Sequence, residues 1–264
     1  KTTLADLLLY KSGAASRAGS VDDGSSLLDT DEEELGRKST ISSSLVHFDH
    51  LGKRVQLIDT PGFPDFLGQM VGALHAVETA VVVVSAGAGI EVNTRRSFAM
   101  AGQAGVGRMI LINKCDAENV QFAELVGELQ AAFGHNCVLL NVPVGIGDSF
   151  SGVVSTLDVP ESVPEGVEVD PVEVNQALMD AIVEADEEVM ERYLEGEELS
   201  SEELAGGMTK AIASGTLVPI FCSSAKNDVG VDELLQALAE YAPAPADIPR
   251  IGRSDSDEEV TLDQ

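Results

Sequence analysis

Val55-Gln56-Leu57-Ile58-Asp59-Thr60-Pro61-Gly62 is the stretch on which the reading of the fold turns. The run Val55 to Ile58 is strand-like and stops abruptly at an acid, a hydroxyl, a proline and a glycine. Doubly wound α/β folds bind ligands just outside the carboxyl ends of their strands. Asp59 therefore stands where a carboxylate can hold a magnesium ion through water, and Gly62 where a backbone N–H can approach a terminal phosphate. An ordinary strand-to-helix turn punctuated by Pro and Gly reads the same way locally, so the surrounding pattern has to decide.

Just upstream, Ser43 to His50, Leu51-Gly52 and Lys53 to Ile58 read as a hairpin that supplies one antiparallel edge strand. Downstream, apolar runs recur at Ala80 to Ser85, Met109 to Asn113, Val138 to Val142 and Leu217 to Cys222. Helix-period stretches separate them: Phe66 to Glu78, Val92 to Gly105, Val120 to Phe133 and Val231 to Tyr241. Strands apolar at nearly every position are buried on both faces, and their alternation with helices implies right-handed crossovers. The expected class is α/β, a doubly wound, mostly parallel sheet.

Composition agrees. The 264 residues are 44% apolar but only 4% aromatic, without Trp, so the core must be built from Val, Leu, Ile and Ala. With 45 acids against 16 bases, the net charge of −29 argues against a nucleic-acid or anionic-membrane surface and for basic partners. Cys115, Cys137 and Cys222 have no zinc spacing and read as reduced core thiols. The longest aliphatic run, Ala80 to Val84, is far shorter than a bilayer span, and no signal peptide precedes it, so the expected compartment is the cytoplasm. Residue 1 is Lys, which reads as a piece of a longer protein.

Two regions break the rhythm. Residues 11–44 are rich in Gly, Ser and Asp, a functional loop or a disordered one. Residues 143–207 form an insertion, expected as an α+β subdomain, between a first part of the core (1–142) and its final strand and helix (208–242). Within it Asp170, Pro171 and Glu173 read as an N-cap, a first-turn proline and a capping-box acid. The helix begun there is expected to bury Leu178, Met179, Ile182, Val183, Val189, Met190, Tyr193 and Leu194. Asp180, Glu184, Glu187, Glu188, Glu191 and Glu195 would line its other side as a ridge about 22 Å long. Ser200-Ser201-Glu202-Glu203 begins a second helix that Gly215 ends. Residues 161–204 hold 16 acids and one base, a solvated face or a docking surface. Pro243, Pro245, Pro249 and then Arg253 to Gln264 read as a linker toward a further domain, spanning 243–264.

Two more strand ends carry polar motifs. Asn113-Lys114-Cys115-Asp116 follows Met109 to Ile112, and an Asp carboxylate there offers two acceptors to the N1–H and exocyclic amine of guanine, a donor pair adenine lacks. Ser223-Ser224-Ala225-Lys226 follows Leu217 to Cys222, where small residues let backbone N–H groups approach the guanine carbonyl. Each motif alone is a polar strand end. Three of them in this order point to guanine-nucleotide binding.

The chain resembles the GTP-binding domain of elongation factor G, a translational GTPase, over almost its whole length. Gly19-Ser20-Val21-Asp22-Asp23-Gly24 with Asp29 resembles the family's first mobile loop, and Arg37-Lys38-Ser39-Thr40-Ile41 stands where the family reads Arg-Gly-Ile-Thr-Ile. Met190-Glu191-Arg192-Tyr193-Leu194-Glu195-Gly196-Glu197-Glu198-Leu199 resembles the family's extra subdomain. Lys1-Thr2-Thr3 would be the end of the loop Gly-x-x-x-x-Gly-Lys-[Ser/Thr], truncated at its start. The resemblance implies that Lys1 reaches the β- and γ-phosphates and that Thr2, Thr40 and Asp59 serve Mg2+. It also implies that Gly62 meets the γ-phosphate and that Asn113, Lys114, Asp116, Ser224, Ala225 and Lys226 surround the base of GTP or GDP. The implied partner is the ribosome, notably its basic stalk protein through the acidic ridge, with no membrane and little direct nucleic-acid contact.

Three departures mark a divergent paralogue. Phe63 stands where the family's Asp-Thr-Pro-Gly-His-x-Asp-Phe has the His that positions the attacking water, and a phenyl ring cannot take that part. Lys38 replaces a Gly and Lys226 a Phe. The readings that follow are a ribosome-stimulated GTPase with Lys1, Thr40, Gly62 and Phe63 at the reaction centre, a hydrolysis-impaired GTP-dependent ribosome-binding module, or a pseudo-GTPase scaffold.

Overall fold

Leu51 and Gly52 both take positive φ, 50° and 75°, the pair of angles with which a two-residue turn matches the twist of its strands. In the computed structural model, which describes residues 1–197, 199–248, 250–254 and 259–262, they join β1 (Ser44–His50) to β2 (Lys53–Asp59). The register runs antiparallel from Ser44 opposite Asp59 to His50 opposite Lys53.

The central sheet is four parallel strands: β3 (Thr79–Ser85), β4 (Gly107–Asn113), β5 (Cys137–Leu139) and β8 (Val218–Cys222), in the order β3-β4-β8-β5. Period-2 alternation splits β4 between two cores. Met109 and Leu111 face a cluster that includes Leu4, Leu8, Met208, Ile212, Leu234 and Leu235, from α1 (Thr2–Lys11), α8 (Ser201–Ser214) and α9 (Val231–Glu240). Ile110 and Ile112 face Phe98, Phe122, Leu125 and Leu129 of α4 (Val92–Gln103) and α5 (Phe122–Phe133). Layers of helix on both faces make the sheet doubly wound. The three cysteines are free and buried, and burial pushes the Cys115 thiol up to about 12 and that of Cys137 to about 11, as expected of inert core thiols.

Four expectations need correction. The hairpin is not hydrogen-bonded to the parallel sheet among the described residues; it is a two-stranded sheet of its own. It attaches through side chains, with Phe48 buried and Val46, Val55 and Leu57 packed on the core that contains α1 and α9. Second, the run Val138 to Val142 divides, because the Leu140 carbonyl turns to the N–H of Thr156 at 3.1 Å. β6 (Asn141–Val144) then leaves the sheet and pairs antiparallel with β7 (Gly152–Ser155). Third, the helix expected over Phe66 to Glu78 is shorter, α3 (Leu67–Leu74), behind a 3-10 turn at Pro64–Phe66.

Fourth, the acidic helix is broken in two. Asp170 caps α6 (Pro171–Val183) through the Val172 N–H, as anticipated, but Asp186 accepts the N–H groups of Glu188 and Val189 and so begins α7 (Glu187–Leu194). A capping carboxylate has non-helical backbone, so no helix runs through it. The ridge is thereby divided: Asp180 and Glu184 belong to α6 and its C-cap, and Glu187, Glu188, Glu191 and Glu195 to α7 and its C-cap, all six exposed. Leu178 and Ile182 are buried as expected, whereas Leu194 is 78% exposed. The second helix begins and ends as anticipated, with Ser200 and Glu203 in a reciprocal capping box and Gly215 left-handed at φ 79°.

Residues 11–44 wrap against α1. Buried Asp6 accepts the Leu27 N–H at 2.8 Å, and a Cβ on Gly19 would lie 2.7 Å from the same carboxylate oxygen. The loop then forms α2 (Glu32–Arg37), ended by Lys38 in the left-handed region at φ 53°, a backbone conformation that favours Gly. In the stretch read as linker, β9 (Arg250–Arg253) pairs antiparallel with β10 (Glu259–Leu262). Glu198, Pro249, Asp255 to Glu258, Asp263 and Gln264, which belong to stretches read from the sequence, lie outside the described residues.

Adjacent glycines of α8 should respond oppositely to a methyl group. A Cβ on Gly207 would lie 2.7 Å from Ile182 Cγ2 at the α6–α8 contact, while one on Gly206 meets nothing within 4 Å. In urea unfolding, Gly207→Ala should destabilise by about 1–3 kcal/mol, and Gly206→Ala should stabilise by about 0.5–1 kcal/mol.

Candidate functional site: two polar clusters at the strand ends

The first cluster forms where α1 begins. Thr2 is the first residue of that helix, and its Oγ1 lies 2.6 Å from Asp59 Oδ2 and 2.8 Å from Thr40 Oγ1. Thr40 Oγ1 lies in turn 2.9 Å from Asp29 Oδ1. Three short oxygen–oxygen contacts are thus shared between two ionisable carboxyl groups and two hydroxyls, and the hydroxyls bring only two protons. Asp29 Oδ2 is buried without a partner. Burial raises the Asp29 pKa; the Thr40 hydroxyl opposes this, and the carboxylates of Glu34, Asp59 and Asp6 reinforce it. An all-oxygen cluster, short of protons and rich in acid, fits a small hard cation such as Mg2+. No group of three or more His, Cys, Asp or Glu that could hold a metal occurs among the described residues, so the hydroxyls are essential to that fit.

Lys1 closes the cluster on one side. Its Nζ donates to Thr60 O at 2.6 Å and lies 3.5 Å from where a Cβ on Gly62 would sit. Burial lowers its pKa and the Asp59 charge acts against that shift. Thr3 follows in the same first turn, one residue round from the cluster. Phe63 sets the N-terminus of the 3-10 turn and is 57% exposed, so its ring does not pack into an apolar wall.

Sequence reading missed two residues here. Asn93 Nδ2, in the first turn of α4, donates to Gly62 O at 3.0 Å. Buried Glu34 accepts the N–H groups of Ile41 at 2.9 Å, Ser42 at 3.0 Å and Asp31 at 3.2 Å, and so shapes the loop that presents Thr40. Burial acts to raise its pKa, but the backbone N–H groups prevail and lower it. The reciprocal acid-to-backbone pattern Asp31-x-x-Glu34 was the available signal.

The second cluster joins the other two strand ends. Asn113 Oδ1 accepts from the Lys114 N–H at 2.8 Å, the Ala225 N–H at 3.0 Å and Ser223 Oγ at 3.3 Å. The Ala225 N–H, expected to face a guanine carbonyl, is committed to this contact. Lys114 is left-handed at φ 65° and exposed, as is the Lys226 side chain. Asp116 Oδ1 is buried and has no donor, an acceptor awaiting a partner of the kind a base N–H supplies. Ser224 is buried in a tight loop, exchanging backbone hydrogen bonds with Val229 at 2.9 and 3.1 Å. Lys11, at the end of α1, reaches Asp228 at 2.7 Å and Asp232 at 3.0 Å, tying this loop to the helix that begins at the first cluster.

Arg192 of the insertion pairs with Glu197 and Glu203, and Lys210 of α8 pairs with Asp186, so none of the six exposed acids has a salt bridge among the described residues. Among the described residues no helix is long and apolar enough to cross a membrane.

The family model of the elongation factor Tu GTP binding domain matches residues 1–244. A crystal structure of a protein from Thermus thermophilus superposes with a TM-score of 0.83 at 31% sequence identity, over 95% of this chain. The chain spans 40% of that protein's length. A match of that extent, in accord with the resemblance to a translational GTPase read at the strand ends, means that the chain belongs to the elongation factor Tu GTP-binding domain family.

Proposed function

We propose that this domain binds Mg2+ with GTP or GDP and hydrolyses GTP in response to the ribosome. The observation that carries the reading is the proton-poor oxygen cluster: Thr2, Thr40 and Asp59 come from three distant segments and meet within 2.6–2.8 Å, beside Lys1. In this reading Thr2 and Thr40 hold the metal directly and Asp59 through water, and the metal supplies charge neutralisation at the phosphates. Lys1 offsets phosphate charge. Gly62 turns its N–H to the γ-phosphate because no side chain blocks the approach. Water then attacks phosphorus in line, the bond to the β-phosphate oxygen breaks, and GDP leaves with that electron pair. Asp116 takes the guanine N1–H and amine, while Asn113, Lys114, Ser224, Ala225 and Lys226 shape the base site. Cytoplasmic residence follows from this role.

A second reading has a specific observation in its favour. Phe63 offers no acceptor to the attacking water, and its exposed ring is not retained for packing. Hydrolysis is then impaired, and GTP serves to order the two switch loops of a ribosome-binding module. In either reading the insertion supplies the contact to a basic stalk protein, supported by its six exposed acids and by exposed Leu194 among them. The domain boundaries follow: 1–142 and 208–242 as the nucleotide-binding core, 143–207 as the docking subdomain, and 243–264 as the lead into what comes next.

Three measurements on the full-length protein test this. Asp116→Asn should shift binding preference from guanosine toward xanthosine diphosphate, because an amide presents a donor where guanine needs an acceptor; unchanged GDP selectivity in competition would remove Asp116 from base reading. Phe63→His should accelerate ribosome-stimulated single-turnover hydrolysis by about a hundredfold at similar GTP affinity. A rate no faster than that of the unaltered protein would overturn the impaired reading. Finally, replacing Glu184, Glu187 and Glu191 by Lys should slow ribosome association at low salt more than it speeds dissociation. Equal stopped-flow association rates would make the acidic helices a solvated face only.

A further inference from the structure

Cys222 ends β8 and immediately precedes Ser223-Ser224-Ala225. Along a parallel strand, alternate N–H groups point to the same neighbour. On β8 the Val218 N–H goes to Asn136 O at 2.8 Å and Ile220 pairs with Leu139 of β5, so the Cys222 N–H would next require the Leu140 carbonyl. That carbonyl is occupied by the Thr156 N–H, because the chain has turned out of the sheet. The Asn141 side chain supplies the missing rung: its Oδ1 accepts the Cys222 N–H at 2.7 Å, and its backbone O lies 3.4 Å from Cys222 Sγ. Asn141 is 1% exposed, so water cannot replace it.

A second contact comes six residues later. The Gly147 N–H donates to Cys115 O at 2.8 Å, inside Asn113–Asp116. Gly147 has φ 65°, and a Cβ there would lie 3.3 Å from Ala117 O. One short stretch at the start of the insertion therefore holds both segments that meet at Asn113.

We propose that Asn141 and the Gly147 turn are positioning elements for guanine recognition, one for each base-reading segment. This rests on the reading that those segments bind guanine. Without the Asn141 acceptor, the end of β8 loses its rung to the β5 side, and Ser224 and Ala225 are held from the β4 side only, through the Ser223 N–H to Ile112 O at 2.8 Å and the Cys115 N–H to Ser223 O at 3.1 Å. Without the Gly147 contact, the peptide between Cys115 and Asp116 is free to turn, and the Asp116 carboxylate with it. Both losses act on retention of the base and leave the oxygen cluster at Thr2 untouched.

Release of a fluorescent GDP analogue from the full-length protein, followed by stopped flow, tests the proposal in three variants. Asn141→Leu removes the acceptor at similar volume, and Gly147→Ala strains the turn against Ala117. Thr156→Val is the control: it severs a buried bond to Leu139 O of 2.7 Å at the same junction but touches no base-reading segment. Asn141→Leu and Gly147→Ala should each release GDP about tenfold faster. Thr156→Val should lower the melting temperature and leave the release rate unchanged. Unchanged release from both Asn141→Leu and Gly147→Ala overturns the proposal, and so does equal acceleration by Thr156→Val, which would indicate general loosening. Should Asn141→Leu not fold, Gly147→Ala against Thr156→Val decides. If the unaltered protein binds no GDP, the reading of the site falls together with the inference; tight binding with unaltered rates removes the inference alone.

Discussion

Four consecutive residues of β4, Met109 to Ile112, have no solvent exposure, and the rest of the molecule is arranged around that constraint. A strand covered on both faces has no room for an unpaired polar side chain, so chemistry can begin only where it ends. It begins at Asn113, and a single carboxamide oxygen there gathers donors from Lys114, Ser223 and Ala225. Two segments more than a hundred residues apart in sequence thereby become one surface. Asp59, buried at the end of the partly exposed β2, accepts from Thr2 and so joins two further segments.

Buried acids around α1 behave differently from one another for a reason visible in their donors. Glu34 is buried with several backbone N–H groups pointed at it, and its pKa falls despite burial. Asp29 is buried with one hydroxyl and an orphaned oxygen, and burial prevails. The first is a stable loop clamp. The second is held by the Thr40 hydroxyl alone, whose hydrogen bond opposes the effect of burial without overcoming it. Acids of the insertion form a third group: they are exposed, and Arg192 and Lys210 make their ion pairs with Glu197, Glu203 and Asp186 instead, so the field of the ridge acids extends into solvent.

The insertion is tied to the core by more than its two chain crossings. Asn175 of α6 donates to Thr156 O at 2.7 Å, and Thr156 reaches Leu139 and Leu140 of the sheet, next to Asn141. Helix α6 and the end of β5 are thus joined through hydrogen bonds at Thr156, with Asn141 at the point where the chain leaves the sheet.

Much of this was legible in the residues alone. Runs apolar at nearly every position determined the parallel strands, Leu51-Gly52 determined a hairpin, and Ser200, Glu203 and Gly215 bounded a helix, because in each case neighbours within a few residues set the backbone. The polar strand ends likewise marked the segments that the structure gathers into two clusters. What the residues alone could not determine were partnerships across distance. Asp186 lies within a stretch that reads as one continuous helix until its carboxylate is seen to cap α7 and meet Lys210. Asn141 reads as part of a strand until Leu140 is seen to spend its carbonyl on Thr156, and the place of the hairpin beside the sheet depended on side-chain packing rather than pairing. Local sequence determines which backbone hydrogen bonds a segment can form; only the tertiary structure decides which of them are taken, since each buried donor pairs with whichever acceptor the packing leaves within reach.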